Sequence, residues 1–272
     1  TITIVDNQSV EIATKSLFKK LKKAHGEKIN IIRYNKKFNY SAINNYAVSK
    51  SKADIIALVN NDVEVITGNW LQEIVSHASR PDVGCVGAKL YYSNGSIQHG
   101  GVIIGIGKVA GHSHKYFPGD SPGYVDRLQY VQQMTAVTAA CLAIRREIFN
   151  KVGGLNEQDL TIAFNDVDFC MRVHARGFRN IFTPYAELFH HESISRGAED
   201  SPQKQARFKK EIDFMLNQYA IQNNRELPSD LFYNPNLTLK HEDFSINSSL
   251  ESIKQGIELS SNSTRMKDYY KR

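Results

Sequence analysis

The sequence has little cysteine and no long hydrophobic run. Its 272 residues include only three cysteines, Cys85, Cys141 and Cys170, and each lies in an apolar segment. An odd count without the spacing of a zinc site argues against a disulfide framework and predicts reduced thiols in the core. No apolar stretch approaches the length of a membrane-spanning helix, and no signal peptide is visible. We therefore expect a cytoplasmic protein, with association at the inner face of the membrane left open.

Charge is not concentrated in one sign or in one segment. The chain has 34 Lys and Arg residues against 28 Asp and Glu residues, which is a formal net charge of +6. Because the lysines are scattered rather than arranged in a stripe, nucleic acid is not an expected partner. A modest basic excess suits a nucleotide diphosphate, an anionic glycan or an anionic membrane surface.

A glycine-rich phosphate loop is also missing from the start of the chain. A nucleotidyltransferase would need such a loop followed by a basic residue, and the sequence shows none there. Further along, Gly105, Gly107 and Gly111 do not have the spacing of a dinucleotide fingerprint, and no helix follows them. These absences disfavour two classes of nucleotide-binding protein.

Strand-like and helix-like segments alternate through the first third of the chain. Predicted strands cover Ile2–Asp6, Lys28–Tyr34, Asp54–Val59 and Val83–Tyr92, and predicted helices cover Val10–His25, Tyr40–Lys50 and Asn69–Ser79. The first helix is amphipathic, with Ile12, Leu17 and Leu21 on one side. This alternation predicts an α/β fold in which a mainly parallel sheet carries helices on both faces.

The pattern changes after the fourth predicted strand. A hairpin is predicted over Ile97–Gly107, a long loop over Lys108–Arg127, a strand over Tyr130–Ile144 and a short helix over Arg146–Val152. Ser201–Gln222 is a separate amphipathic helix, and Asn247–Arg272 is too polar to pack well. We predict one domain over residues 1–200, followed by a C-terminal helix and polar extension over residues 201–272.

Several polar strings follow predicted strands or begin a predicted helix. Asn60-Asn61-Asp62 places a carboxylate at the carboxyl end of a buried strand, where open α/β sheets bind ligands. Asp166 lies near the start of a helix, and His190 lies after a strand. Taken alone, a polar turn and a helix-start acid favoured by the macrodipole would be the simpler interpretation.

Together, however, these strings resemble the family 2 glycosyltransferases of the GT-A fold, from the first residues to about Ile246. The matching strings are Ile4-Val5-Asp6-Asn7, Phe38 to Asn45, Asn60-Asn61-Asp62, Gln98-His99-Gly100-Gly101, Thr138 to Leu142, Val152-Gly153-Gly154-Leu155, Asn165 to Asp168 and His190 to Gly197. The string Phe232 to Leu237 resembles bacterial enzymes of cell-surface polysaccharide synthesis, including rhamnosyltransferase-like members.

The resemblance implies an inverting transferase. Such an enzyme moves a sugar from a nucleotide diphosphate sugar, here of the UDP or dTDP type, to a saccharide acceptor. Asp166 would be the catalytic base that takes the proton of the acceptor hydroxyl. Asp168 is the alternative, although its side chain should lie on a different face of the helix.

The resemblance also implies a divalent metal site for Mn²⁺ or Mg²⁺. Asp62 would be a ligand that bridges the ion to the diphosphate, and Asn60 stands where the family usually has a second acid. His190 would complete the site. His191 is the alternative ligand, but adjacent side chains of an extended segment point apart.

Further contacts to the donor are implied by the same resemblance. The substrate-binding candidates are Asp6, Asn7, Asn39, Ala42, Asn44, Asn61 and Arg196. Helix capping and packing is the alternative role for Asn39, Ala42 and Asn44, and a structural ion pair is the alternative for Arg196. His112 and His114 lie in the long loop and are interpreted as acceptor-loop residues rather than metal ligands.

The resemblance lacks one element, since the segment Thr1–Ser9 corresponds to the family's second strand. The family's first strand helps to form the nucleotide pocket, so we expect poor nucleotide binding by this chain. An uncovered edge invites pairing. We therefore expect a homo-oligomer, another segment over the edge or a disordered N-terminus. A catalytically impaired glycan-binding or scaffolding domain is the alternative function.

Overall fold

The computed structural model describes residues 1–191, 201–220 and 230–247. The strands are β1 (Ile2–Asp6), β2 (Ile29–Arg33), β3 (Ile55–Val59), β4 (Val63–Val65), β5 (Val83–Tyr91), β6 (Ile97–His99), β7 (Val102–Ile104), β8 (Ala110–His112), β9 (Gln132–Met134), β10 (Cys141–Arg145) and β11 (Arg179–His190). The helices are α1 (Ile12–His25), α2 (Tyr40–Lys50), α3 (Trp70–Ala78), α4 (Arg146–Lys151), α5 (Asn165–His174) and α6 (Pro202–Ala220).

The central sheet has seven strands in the order β3-β10-β5-β11-β4, with β6 added on β5 and β9 on β11. The predicted α/β class is confirmed, but a mainly parallel sheet is wrong. Among the described strands of this sheet only β5 and β11 pair in parallel, and the other pairs are antiparallel. Parallel neighbours need a long crossover, whereas β6 follows β5 after a short turn and can return antiparallel beside it.

The strands β1 and β2 form a separate parallel pair, in register from Ile2 opposite Ile29 to Asp6 opposite Arg33. Within the described residues neither strand pairs with the central sheet. A disordered N-terminus is therefore wrong, because β1 is a paired strand. Poor nucleotide binding and self-association stay predictions.

The helix α1 buries no residue, and Ile12 and Leu17 on its apolar side are exposed. The predicted amphipathic helix exists, but its apolar side packs only in part against the small β1–β2 pair, since Leu21 and Phe18 are half-buried while Ile12 and Leu17 are exposed. A two-stranded sheet offers too little surface to cover a helix face of this length.

Helices cover both faces of the central sheet, as predicted. On one face, side chains from α2, α4, α5 and α6 join a large apolar cluster that includes Phe149, Phe169 and Met215. On the other face, Ile74 and Ala78 lie one turn apart on α3 and are fully buried. All three cysteines are free and buried, in agreement with the sequence prediction.

The described parts of the C-terminal region pack on the rest of the molecule. Met215 of α6 belongs to the large cluster. Asp230 accepts hydrogen bonds from the Ile104 N–H at 2.8 Å and from the Thr135 hydroxyl at 2.7 Å. The predicted polar tail after Asn247 lies outside the described residues, and the domain boundary near residue 200 stays a prediction. No helix within residues 1–191 and 201–220 is long and apolar enough to span a bilayer.

Candidate active site

The turn from Asn60 to Asp62 joins β3 to β4 and is held at both ends. The Asn60 N–H donates to the Ala140 carbonyl at 2.9 Å, which extends the pairing of β3 with β10. The His191 N–H donates to the Asp62 carbonyl at 2.8 Å, which extends the pairing of β4 with β11. These two clamps place the side chain of Asp62 beside the end of β11.

The structure brings Asp62 and His190 together. Asp62 Oδ1 lies 3.2 Å from His190 Nε2, and both side chains are largely buried. The Asn60 amide nitrogen Nδ2 lies 3.1 Å from the same ring nitrogen. Among the described residues Asp62 Oδ1 has no hydrogen-bond partner despite its burial. A buried carboxylate oxygen without such a partner is costly unless a cation lies near it.

This pair of donor atoms fits a divalent cation. Two ligands at about 2.1 Å from one ion and at right angles to each other lie about 3 Å apart, close to the observed separation. Imidazole nitrogen and carboxylate oxygen both suit Mn²⁺. Within the described residues no group of three or more His, Cys, Asp or Glu side chains could hold a metal. Donors from the diphosphate and water would add to these two ligands, as is usual for Mg²⁺ with nucleotides.

His191, the alternative ligand, points elsewhere. Its Nδ1 lies 2.7 Å from the Ser93 hydroxyl, and its Nε2 lies 3.0 Å from Glu64 Oε2. The alternation expected along an extended segment thus separates the two histidines.

Asp166 lies at the start of α5, and both of its carboxylate oxygens are oriented by the backbone. Oδ2 accepts from the Ala139 N–H at 3.0 Å, and Oδ1 accepts from the Val167 N–H at 2.9 Å. Burial raises the pKa of Asp166 above its ordinary value, against hydrogen bonds from Ala139, Thr138 and Val167 that act to lower it. A raised pKa brings a carboxylate closer to the range in which it is an effective general base.

Both carboxylate oxygens of Asp168, the alternative base, accept hydrogen bonds from other side chains of the protein. Its Oδ2 accepts from Arg172 Nη2 at 2.7 Å and from Arg172 Nε at 2.9 Å. Its Oδ1 accepts from the Tyr219 hydroxyl of α6 at 2.6 Å. A carboxylate that is 2% exposed and bonded on both oxygens is poorly placed to receive a proton from a substrate.

One dipeptide connects the candidate base with the candidate metal turn. The Ala139 N–H binds Asp166, and the carbonyl of the next residue, Ala140, binds the Asn60 N–H. The hydroxyl of Tyr40 donates to the Ala139 carbonyl at 2.8 Å. Asp166 and Asn60 therefore contact adjacent residues in the turn just before β10, which connects the candidate base to the segment that carries Asp62.

The predicted donor contacts have hydrogen-bond partners inside the fold. Asp6 Oδ1 accepts from the Ser9 N–H at 2.9 Å, and Asn7 Nδ2 donates to the carbonyls of Tyr34 and Lys36. These bonds order the loop after β1.

The α2 residues behave as a cap and as packing. Asn39 Oδ1 accepts from the N–H of the buried Ala42 at 2.9 Å, and Asn44 Nδ2 donates to the Tyr40 carbonyl at 2.9 Å. Asn61 is exposed beside Asp62. Arg196 lies outside the described residues. The donor roles of all these residues stay predictions.

Two residues that shape the site, Gln98 and His99, had no role predicted from the sequence. Gln98 contacts the ring of His190. His99 is fully buried, and its Nδ1 atom lies 2.8 Å from the Nδ1 atom of His112. Burial holds the pKa of His99 well below its usual value. Both residues belong to the string Gln98 to Gly101, so the matching string was the available signal. His114 is also buried, and its burial lowers its pKa to about 3.

Comparisons with known proteins agree with this architecture. The model of glycosyl transferase family 2 matches residues 1–153. The uncharacterized protein y4gI of Sinorhizobium fredii is 52% identical over 247 residues, which are 91% of this chain and 27% of that protein. The O-antigen biosynthesis protein RfbC of Myxococcus xanthus is 37% identical over 207 residues, which are 76% of this chain and 16% of that protein.

A more distant relative is the N-acetylglucosaminyl-diphospho-decaprenol L-rhamnosyltransferase of Mycobacterium tuberculosis, which is 25% identical over 61% of this chain and 56% of that protein. The predicted resemblance to rhamnosyltransferase-like enzymes of surface polysaccharide synthesis is thus confirmed. The chain spans only about a quarter of the first of these relatives and about a sixth of the second.

Among solved structures, the mannosyltransferase PcManGT of Pyrobaculum calidifontis, in complex with GDP-Man and Mn²⁺, superposes with a TM-score of 0.55 at 15% identity, over 81% of this chain and 55% of that chain. This likeness shows the fold, which is the predicted GT-A fold. Since the family model also covers more than half of the chain, the protein belongs to glycosyl transferase family 2.

Proposed function

We propose that this chain is an inverting glycosyltransferase domain that moves a sugar from a nucleotide diphosphate sugar to a saccharide acceptor in surface polysaccharide synthesis. The observation that carries the proposal is a largely buried Asp62–His190 pair whose turn is bonded through Asn60 to Ala140, next to Ala139, which binds Asp166. Family membership and the O-antigen and rhamnosyltransferase names of two relatives support the reaction class.

In this proposal Asp166 accepts the proton of the acceptor hydroxyl while that oxygen attacks the anomeric carbon. The bond between that carbon and the diphosphate oxygen breaks, and the configuration inverts. The Ala139 and Val167 N–H groups hold one lone pair on each oxygen of Asp166, so the carboxylate is already oriented before the acceptor arrives.

Asp62 and His190 would hold Mn²⁺ or Mg²⁺, as the donor atoms and their spacing allow. A bound divalent cation would neutralise charge on the leaving diphosphate. The mannosyltransferase neighbour is a complex with Mn²⁺ and GDP-Man, which supports metal use on this fold but not a choice of base. A donor of the UDP or dTDP type, association of the protein with the membrane surface and self-association are further parts of the proposal.

The test is nucleoside diphosphate release and sugar transfer by this chain, with UDP, dTDP and GDP sugars at millimolar concentration. Release should require Mn²⁺ or Mg²⁺, stop with a chelator and be lost in Asp62→Asn. Metal-independent release that Asp62→Asn and Asp166→Asn leave unchanged would remove the proposal.

A further inference from the structure

We propose that Gln98 is a positioning residue that holds the ring of His190 so that its Nε2 lone pair faces the cation shared with Asp62. The inference rests on the proposed metal-dependent function and deepens it by adding a residue behind one ligand. It starts from a geometry in which one amide contacts both the ring and the backbone of the same histidine.

The amide of Gln98 has only one sensible orientation. Gln98 lies on β6 and is 4% exposed. Its Nε2 donates to the His190 carbonyl at 3.2 Å, and its Oε1 lies 2.7 Å from His190 Nδ1. A flipped amide would turn its oxygen toward a carbonyl that can only accept, so the His190 carbonyl determines which end of the amide faces the ring.

This orientation determines the tautomer of His190. Because Gln98 Oε1 can only accept, His190 Nδ1 must carry the proton. In a neutral imidazole the lone pair is then on Nε2, the atom that lies 3.1 Å from Asn60 Nδ2 and 3.2 Å from Asp62 Oδ1. An amide can donate to this lone pair, but a carboxylate oxygen cannot.

With His190 neutral, its Nε2 lone pair and the Asp62 carboxylate oxygen 3.2 Å away are both acceptors and repel each other. A shared divalent ion would replace that repulsion with two ligand bonds, in competition with a proton on Nε2 that would make the two groups an ion pair. Histidine ligands usually donate their other ring N–H to an oxygen acceptor, which aligns the ring and raises its basicity. Gln98 occupies that position relative to His190.

The strand that carries Gln98 is itself held in place. The residue before it, Ile97, donates from its N–H to the Phe117 carbonyl and accepts from the Tyr116 N–H, each at 2.8 Å. Strand β6 also pairs with β5 in the central sheet. The amide is thus part of a rigid support rather than a mobile surface group.

The experiment compares Mn²⁺ binding by two variants, Gln98→Met and Gln98→Glu. If Gln98 only fills space, Gln98→Glu should weaken binding more; if Gln98 positions His190, Gln98→Met should weaken it more. Gln98→Met keeps the size and shape of the side chain but removes the acceptor. Gln98→Glu introduces a buried charge but keeps an oxygen that accepts from Nδ1–H. Mn²⁺ binding by the full chain is measured by electron paramagnetic resonance, with Mn²⁺ alone and with UDP or dTDP.

We expect Gln98→Met to weaken Mn²⁺ binding by about 10–100-fold, the usual effect of removing such a partner, and Gln98→Glu to stay within a few-fold of the unsubstituted chain. Gln133→Met on β9 is the matched control, because it makes the same substitution at a half-buried glutamine of the same sheet and should leave Mn²⁺ binding unchanged. Equal binding by Gln98→Met, or weaker binding by Gln98→Glu than by Gln98→Met, would overturn the inference.

A measurement without substitutions covers the case in which a variant does not fold. Nitrogen-15 NMR of the histidine side chains should show His190 protonated on Nδ1 and a direct Mn²⁺ effect at Nε2. A proton on Nε2, or an absence of Mn²⁺ binding by the unsubstituted chain, would overturn the inference.

If Mn²⁺ binds with the expected ranking but no donor is cleaved, the proposed function fails while the role of Gln98 stands. If donors are cleaved and Gln98→Met binds Mn²⁺ normally, only the role of Gln98 fails.

Discussion

Tyr219 donates a hydrogen bond to Asp168 at 2.6 Å, from a helix that follows the predicted catalytic segment in the sequence. The same carboxylate pairs with Arg172 one helical turn away. Asp166, only two residues earlier, contacts the backbone of Ala139 instead. The two acids at the start of α5 are therefore separated into one that faces the candidate site and one that joins α5 to α6.

The first prediction follows from this separation. Asp166→Asn should fold normally but reduce sugar transfer by about 10²–10⁴-fold, because it removes only the proton acceptor. Asp168→Asn should instead lower the free energy of unfolding by about 1–3 kcal/mol, because it weakens buried bonds to Arg172 and Tyr219. Transfer assays and urea unfolding of both variants check this. Normal transfer by Asp166→Asn with an inactive, stable Asp168→Asn would reverse the assignment.

A second prediction separates the two histidines at the end of β11. His190→Ala should abolish detectable Mn²⁺ binding, because it removes one of the two protein ligands proposed for the ion. His191→Ala should leave Mn²⁺ binding unchanged, because that ring contacts Ser93 and Glu64. Calorimetric titration with Mn²⁺ measures both. Loss of binding in the His191 variant alone would transfer the ligand role to that residue.

The raised pKa of Asp166 predicts a pH profile. The base must be ionised to accept a proton, so kcat/KM should fall as the pH drops through a pKa that lies above the ordinary aspartate value of about 3.9. The measurement is the pH dependence of transfer at constant ionic strength. An acid limb at or below the ordinary value would contradict the burial of this carboxyl.

The ionisation of Asp166 should also make the free energy of unfolding depend on pH. Whereas transfer needs the ionised carboxylate, stability is favoured by the protonated one. In the folded chain Asp166 holds its proton more tightly than in the unfolded chain, because burial raises its pKa. Its contribution to stability is therefore fully present below the unfolded value and is lost as the pH rises through the folded value. Comparing unfolding free energies of the native chain and Asp166→Asn across that window tests the sign, since the variant should lose this slope.

Glu211 of α6 predicts an indirect effect on catalysis. Its buried carboxylate accepts from the Thr161 hydroxyl at 2.8 Å and from the N–H groups of Ile162 and Ala163 at 2.9 and 3.2 Å. Glu211→Ala should destabilise the chain by about 1–3 kcal/mol and slow transfer, because the segment leading into α5 loses its support.

Mn²⁺ binding should stay near normal in the same variant. A Glu211→Ala chain with unchanged transfer and stability would show that this segment is held by other contacts. Glu211→Gln is the matched control, since its amide oxygen keeps part of the acceptor capacity.

Local sequence patterns were sufficient for many of the helices and strands. The helix α3 has apolar residues one turn apart, Asn39 caps α2, and the two glycines Gly153 and Gly154 adopt positive φ after α4. Each of these features depends on neighbours within a few residues, so the sequence predicts it directly. The same holds for the placement of Asp62 in a turn after a buried strand and of Asp166 at a helix start.

Pairing between distant segments was decided only by the tertiary structure. The order of the strands, the antiparallel insertion of β10 between β3 and β5 and the uncovered face of α1 depend on which surfaces meet, and hydrophobic periodicity carries no information about partners. The choice between Asp166 and Asp168 required Tyr219, and the choice between His190 and His191 required Ser93 and Gln98. The sequence by itself determined which acids and histidines are candidates for base and metal ligand. Only the tertiary structure decided which carboxylate takes part in packing and which imidazole nitrogen faces Asp62, because both depend on hydrogen bonds between residues far apart in the chain.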